Sequence, residues 1–266
     1  MRSKEIKGIT LYQGESLKVM EFLAEQGIKV DAVITDVPFG TTQCSWDSVI
    51  PFAPMWEALG KITRDNTPIL LHGAEPFSSF LRVSNIEDFK YDIIWDKIKG
   101  TGFLNAKIQP MRNHEFVHVF YKKQPTYNPQ MTKGHSKKVS MRKGDMNTEV
   151  YGGMKSDYRY ESTERYPRSI QVFSTDTQNS SLHPTQKPVK LLEYLVKTYT
   201  NEGGLVLDFT MGSGTTMVAC ANLNRRGIGV DNGEVTNKKS EWFGRPWVDV
   251  AEHRVKEAYG MVGLFA

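Results

Sequence analysis

The apolar positions of this chain fall into short runs separated by polar turns, and the period of each run predicts an element. Gly8-Ile9-Thr10-Leu11-Tyr12 reads as a short strand. Leu17, Met20, Leu23 and Ala24 then recur at helical spacing, with Ser16 placed to cap the helix and Gly27 to stop it. Residues 30–35 are apolar and β-branched almost throughout, which predicts a buried strand. Phe52, Met55, Trp56 and Leu59 form a second helical face. Residues 68–72 form another strand, and Pro76 opens a short helix carrying Phe77, Phe80 and Leu81. Residues 91–95 and 116–121 read as further strands. Apolar periodicity lapses over 124–179 and resumes with Val189, Leu192, Leu195, Val196 and Tyr199 on one helical face. A strand at 205–208, a helix at 217–223, a strand at 227–231 and a helix at 248–259 complete the chain. Strands alternating with helices predict an α/β fold, a mostly parallel sheet with helices on both faces.

Composition narrows the class. With 266 residues, 39% of them hydrophobic, the chain can build one large α/β domain with an inserted module, or two small domains. Residues 1–5 carry no apolar signal region, and no apolar run approaches the ~18 residues of a membrane span. The two cysteines, Cys44 and Cys220, lie far apart and outside any metal-ligand spacing, which fits a reducing cytosol and predicts a cytoplasmic protein. The formal charge is +4, but it is segregated: residues 97–168 hold 15 Lys/Arg against 6 Asp/Glu, and the remainder 19 against 24. A basic segment of this kind predicts a polyanionic partner.

That segment overlaps 124–179, where Lys, Arg, Ser, Tyr and Gly become frequent, as in Lys137-Lys138, Arg142-Lys143-Gly144 and Tyr158-Arg159-Tyr160. A long solvated loop is one reading. A recognition insert is the other. Tyr127, Tyr151, Tyr158, Tyr160, Tyr166 and Phe173 among the bases favour it, because such residues can stack on bases and neutralise phosphates. The expected organisation is a catalytic half at 1–123, a target-recognition insert at 124–179 and a cofactor-binding half at 180–266.

Two stretches hold candidate chemistry. Asp36-Val37-Pro38-Phe39 stands at the carboxyl end of the 30–35 strand, where open α/β sheets bind ligands. A carboxylate and the Val37 carbonyl can accept hydrogen bonds from an amino group, and Phe39 can stack on a planar ring. Together they suit an exocyclic amine on a flat heterocycle, although an ordinary strand exit with a proline turn would look the same. The second stretch runs from the strand 205–208 through Met211-Gly212-Ser213-Gly214-Thr215 to Asp231. Glycines admit close approach of a ligand to backbone, and an acid at the end of the next strand is where a ribose diol is commonly held. No Lys-Ser/Thr follows, so it is not a P-loop, and a third glycine is missing for a dinucleotide. His114-Glu115-Phe116-Val117-His118 matches H-E-x-x-H, but zinc chemistry there requires a helix, and the flanking residues favour a strand.

With these pieces in order, the chain resembles the β-class S-adenosylmethionine-dependent DNA amino-methyltransferases, which act on N6 of adenine or N4 of cytosine. Asp36-Val37-Pro38-Phe39 resembles their catalytic tetrapeptide, Asp208 with Met211 to Thr215 their glycine loop, and His183-Pro184-Thr185-Gln186-Lys187-Pro188 the segment before that loop. Catalytic strand, variable insert and cofactor loop follow in the permuted order of the β class, over nearly the whole chain. The resemblance implies a permuted, Rossmann-like methyltransferase fold and S-adenosylmethionine as cofactor. The implied catalytic residues are Asp36, Val37, Pro38 and Phe39. The implied cofactor-binding residues are Glu15, Thr185, Lys187, Asp208, Met211, Gly212, Gly214 and Thr215, with Asp231 beside them. It further implies double-stranded DNA as partner, a bacterial or phage source, no membrane and no metal, and it leaves room for a homodimer. Asp at the first position resembles the adenine-N6 enzymes. Cytosine N4 is the alternative, and a catalytically inactive DNA-binding homologue a second one. Val37 stands where the family has its first Pro, keeping the carbonyl with less rigidity, and Thr210 replaces the usual Phe of the loop.

Overall fold

The period-two pattern of one short strand divides the core in two. All four side chains of Ala32–Thr35 are buried. Ala32 and Ile34 enter one hydrophobic cluster, and Val33 enters another on the opposite face.

The computed structural model of the chain describes residues 1–40, 48–142, 146–148, 152–154, 158–175 and 186–261. In chain order its elements are β1 (Arg2–Ile6), β2 (Ile9–Gln13), α1 (Ser16–Glu25), β3 (Ala32–Thr35), α2 (Phe52–Ile62), β4 (Ile69–Gly73), α3 (Phe77–Ser84), β5 (Phe89–Thr101), β6 (Arg112–Phe120), β7 (Lys138–Arg142), β8 (Met146–Thr148), β9 (Gly152–Met154), β10 (Tyr158–Ser162), β11 (Ile170–Val172), α4 (Val189–Tyr199), β12 (Leu205–Asp208), α5 (Thr215–Asn222), β13 (Arg226–Asp231) and α6 (Trp247–Ala258). His183, Pro184, Thr185, Cys44 and Tyr151 lie outside the described residues.

The main sheet has the order β1-β2-β13-β12-β3-β4-β6-β5-β11. Its centre, β2, β13, β12, β3 and β4, is parallel. Direction reverses at β6, which is antiparallel to both β4 and β5, and β1 is antiparallel to β2. Val19, Leu23, Met55, Leu59, Phe77 and Leu81 bring α1, α2 and α3 onto the face that holds Val33. Leu192, Leu195, Met217, Cys220, Val248 and Val255 bring α4, α5 and α6 onto the other. The expected mostly parallel sheet, covered on both faces, is what forms.

Three local differences have physical causes. Glu15, not Ser16, caps α1: its carboxylate accepts from the amides of Leu17 and Lys18, both at 3.0 Å. That leaves the Ser16 hydroxyl to donate to the Phe209 carbonyl at 2.6 Å, tying the helix to the glycine loop. β1 escapes sequence reading because an edge strand packed on one side buries only Ile6. Lys4, on the same face of the strand as Ile6, pairs instead with Asp249 and Glu252 on α6. The stretch 124–179 also contains regular structure. Residues 129–168 form a compact unit of their own, in which β7 pairs with β10 and β8 with β9. Val139 and Met141 alternate with Lys138, Ser140 and Arg142, but both are exposed, and two apolar positions are too short a pattern to mark a strand. β11, just after that unit, is parallel to β5 in the main sheet. No helix among the described residues is long and apolar enough to cross a membrane.

Candidate active site

β3 and β12 are adjacent and parallel, so their carboxyl ends deliver Asp36 and Asp208 side by side. A lattice of hydroxyls joins them. The Thr35 Oγ1 lies 2.7 Å from Asp208 Oδ1 and 2.6 Å from Thr210 Oγ1, and Thr210 Oγ1 donates to the Asp36 carbonyl at 3.0 Å. Thr210, the departure from the usual Phe, thus makes hydrogen bonds that a phenyl ring could not. These ends open into one cavity of about 1230 Å³ within the main unit, lined among others by Asp36, Phe39, Gly212 and Asp231. The two candidate stretches of the sequence therefore share a pocket.

Beside Asp36 runs a row of alternating charges. Lys187 Nζ lies 2.7 Å from Asp36 Oδ2 and 3.1 Å from Glu115 Oε2, and Lys97 Nζ lies 3.0 Å from Glu115 Oε1. The lysine side chains are under a tenth exposed. Burial alone would raise the Glu115 carboxyl, but Lys187 and Lys97 outweigh it and bring its pKa down to about 2. Burial likewise opposes the Lys187 charge, yet Asp36 and Glu115 hold its pKa above the usual lysine range. The Lys187 ammonium also sits 5.8 Å from the Phe39 ring centroid and 6.0 Å from that of Trp95. Phe39 itself stacks on Phe77, with centroids 5.1 Å apart. The structure thus brings Lys187 to the tetrapeptide side of the cavity.

The glycine loop is held from behind. Arg254 on α6 donates to the Ser213 carbonyl at 2.7 Å and to Thr215 Oγ1 at 3.1 Å. Ser213 Oγ lies 3.3 Å from Gln186 Oε1, which links the segment before α4 to the loop. Gly214 has φ +78° and passes so close to α6 that a Cβ would fall 2.6 Å from that of Ala251. Met211 is buried at the cavity wall. Asp231 accepts from the Gly212 amide at 2.9 Å and from Gly233 at 2.7 Å. Burial raises its pKa even against those two bonds. Two amides use only part of a carboxylate's acceptor capacity. Glu15 lines the same cavity while serving as the α1 cap. Thr185 lies outside the described residues.

Asp208 is a buried strut. Burial raises its carboxyl to about 6, while hydrogen bonds from Thr216, Thr35 and the Thr210 amide pull downward. A carboxyl that is harder to ionise folded than unfolded stabilises the fold when protonated. Its contribution is present below about pH 4 and lost as pH rises through about 6. We expect Asp208→Asn to remove a pH dependence on the order of 3 kcal/mol across that window. The variant should therefore gain stability relative to the wild type between pH 4 and 7, read by urea unfolding at both values.

Sequence reasoning missed Lys97, Glu115, Trp95, His72 and Arg254. Glu115 and Lys97 did leave a signal: they occupy inward positions in the alternations Glu115-Val117-Val119 and Ile93-Trp95-Lys97. A charge on the apolar face of a strand needs a partner there. His72, at the end of β4, is fully buried on the cavity wall, and burial followed by the Lys187 charge lowers its pKa to about 3.

The H-E-x-x-H run lies on β6, a strand as its flanks suggested. His118 is locked between Asp92 Oδ1 at 2.5 Å and Ser78 Oγ at 2.8 Å. This Ser-His-Asp row is no nucleophilic site, because Ser78 has no exposed surface. No group of three or more His, Cys, Asp or Glu among the described residues could hold a metal ion.

Comparison with known proteins follows the same geometry. The type II methyltransferase M1.MboII of Moraxella bovis is 27% identical over 236 residues, 79% of this chain and 87% of that protein. M.HpaI of Haemophilus parainfluenzae is 50% identical over 54 residues, a match spanning 20% of this chain and 17% of that protein. Among solved structures, the M1.HpyAVI–SAM complex superposes with a TM-score of 0.60 at 22% identity, covering 92% of this chain and 98% of that one. The cytosine-N4-specific PvuII DNA methyltransferase gives 0.62 at 16% identity, covering 96% and 91%. These two likenesses are of fold. Residues 30–240 match the DNA methylase family (N6_N4_Mtase), from the start of β3 past the end of β13. By a match of that extent, this chain belongs to the DNA methylase family.

Proposed function

We propose that the protein transfers a methyl group from S-adenosylmethionine to the exocyclic N6 amine of adenine in double-stranded DNA. The observation that carries this reading is the shared cavity: Asp36 and Phe39 line it together with Gly212 and Asp231. The residues present fit such a cofactor. Gly212, where an added Cβ would meet nothing within 4 Å, leaves backbone open to close approach, and Asp231 keeps acceptor capacity for a ribose diol, while Gly214 lets the loop pack against α6. A bound S-adenosylmethionine would supply an electrophilic sulfonium methyl and be left as the thioether S-adenosylhomocysteine, and the amine nitrogen that gains the methyl gives up one proton to solvent.

The chain's own residues do the rest. The target base must leave the duplex stack to reach the ends of the strands, at a cost of roughly a few kcal/mol. Its amino lone pair is delocalised into the ring and is a poor nucleophile. Asp36 and the Val37 carbonyl accept the two N–H bonds and favour a pyramidal nitrogen with its lone pair aimed along the line of attack. Phe39 gives the flipped ring a face to stack on. Lys187 fixes the Asp36 carboxylate in direction. His72, fully buried and uncharged at neutral pH, backs the cavity wall without adding charge beside Asp36.

The N6 assignment rests on Asp at the first position of the tetrapeptide, and cytosine N4 is the alternative, with the N4-specific PvuII enzyme among the fold neighbours. The stretch 124–179, which includes the compact unit 129–168, is proposed as the reader of the target sequence. Methylating mixed duplex DNA with labelled S-adenosylmethionine and digesting it to nucleosides tests the whole reading. Label in N6-methyldeoxyadenosine supports it, label in N4-methyldeoxycytidine moves the substrate, and cofactor binding without label in DNA identifies an inactive homologue. Asp231→Ala should weaken cofactor binding at least tenfold by calorimetry; unchanged affinity removes the ribose role.

A further inference from the structure

The strands β5 and β6 run on past the sheet into a narrow tip whose apolar side chains point into solvent. Phe103 is 79% exposed, Leu104 96% and Ile108 81%. The tip is not slack. Amides of Asn105, Ala106 and Gln109 bond to the carbonyls of Gly102, Phe103 and Asn105 at 2.9–3.0 Å. At its neck Thr101 Oγ1 donates to the Arg112 carbonyl at 3.0 Å. Gly100 lets the two arms cross so closely that a Cβ would lie 2.9 Å from that of Met111. The neck opens on the pocket: Lys99, Thr101 and Arg112 line the cavity that holds Asp36. From residue 98 to residue 114 the chain has Lys99, Lys107 and Arg112 and no acid at all; Lys97, just before, is buried against Glu115. Among the described residues, Lys99 and Lys107 make no ion pair.

We propose that this tip is a wedge that enters the base stack of duplex DNA beside the target nucleotide. A rigid apolar point is costly in water and is matched by the faces of stacked bases. Insertion of such side chains between base steps unstacks them. Basic shoulders without acids match the phosphates on either side. A wedge rooted at the mouth of the pocket fills the space a flipped base leaves and keeps it from returning. The proposal rests on the base-flipping reading above and adds the residues that open the duplex, Phe103 and Leu104, which lie outside the pocket and outside the stretch 124–179.

The test uses the full chain and the double variant Phe103→Ala with Leu104→Ala, both positions being solvent-exposed in the fold. Two duplexes are compared: one intact, and one with the target base opposite an abasic site, so that it is already unpaired. The ratio of single-turnover methylation rates, intact over opened, should fall at least tenfold in the variant, with the opened duplex methylated within twofold of wild type. Lys107→Ala should instead weaken both duplexes alike and flatten the salt dependence of binding by about 0.9. Equal loss on both duplexes in the wedge variant, or no loss on either, overturns the wedge. So does an altered oligomeric state with an unchanged ratio, which would make the tip a protein interface. If the wild type methylates neither duplex, the methyltransferase reading falls separately. The wedge is then judged by fluorescence anisotropy: the same ratio, taken for affinities, should fall at least fivefold in the variant, and an unchanged ratio rejects it.

Discussion

Asp36→Ala should lower methyl transfer by about 10²–10³ or more while leaving S-adenosylmethionine affinity within twofold. A preorganised acceptor aimed at charge that develops in the transition state is worth that much when removed. The substitution spares the rest of the site. Lys187 keeps Glu115 at 3.1 Å as its counter-ion, and the hydroxyl lattice reaches residue 36 through its backbone carbonyl, which alanine retains. The Gly212–Asp231 contact is untouched, so the glycine loop keeps its form. Single-turnover methylation and calorimetry on one preparation decide the matter. A variant that keeps more than about a tenth of the wild-type rate would remove Asp36 from the chemistry.

Lys187→Met should be worse for the fold than for any single contact it makes. Methionine fills a similar volume but leaves Asp36 and Glu115 as neighbouring carboxylates, with Lys97 still paired to Glu115. Breaking a buried ion pair from one side costs about 3–5 kcal/mol, more than the pair contributes when intact. The pH dependence gives a signature. In the wild type the Glu115 carboxyl, lowered to about 2, adds stability that is present above about pH 4.5 and lost as pH falls toward 2. Without Lys187 its burial is less opposed and its folded pKa rises, so the variant has less to lose on acidification. The deficit should therefore be largest near pH 7 and shrink below pH 4.5. A deficit under 1 kcal/mol at pH 7, or one that does not change with pH, would argue against the charge row.

Much of this was legible in the sequence because local pattern and global fold agree. Val33 between Ala32 and Ile34 announced a strand buried on both faces, and the acid and aromatic after it lay where such sheets bind ligands. Asp208, the glycine turn and Asp231 were readable for the same reason. Other features depend on distance in the chain. Lys187 meets Asp36 and Glu115 only because β6 enters the sheet beside β4, and no spacing along the sequence encodes that approach. Arg254 grips Ser213 from a helix some forty residues away, and its position on α6 looks like any exposed arginine in a helical face. β1 was hidden because an edge strand needs little apolar surface. The strands within 129–168 were hidden because they are only three to five residues long, and the alternation of Val139 and Met141 with polar neighbours covers just two exposed apolar positions.

The strand order also sets a timetable. β12 and β13 lie between β2 and β3 in the sheet, yet they are synthesised after both. Thr35 and Asp208, hydrogen-bonded across that seam, are 173 residues apart. At about 5–20 residues per second, roughly 10–35 s of translation separate them. Through that interval the nascent chain holds β2 and β3 with open edges on the sides where their neighbours belong, a form prone to pairing with other chains. The pocket cannot close around its aspartates until the last third of the polypeptide has emerged.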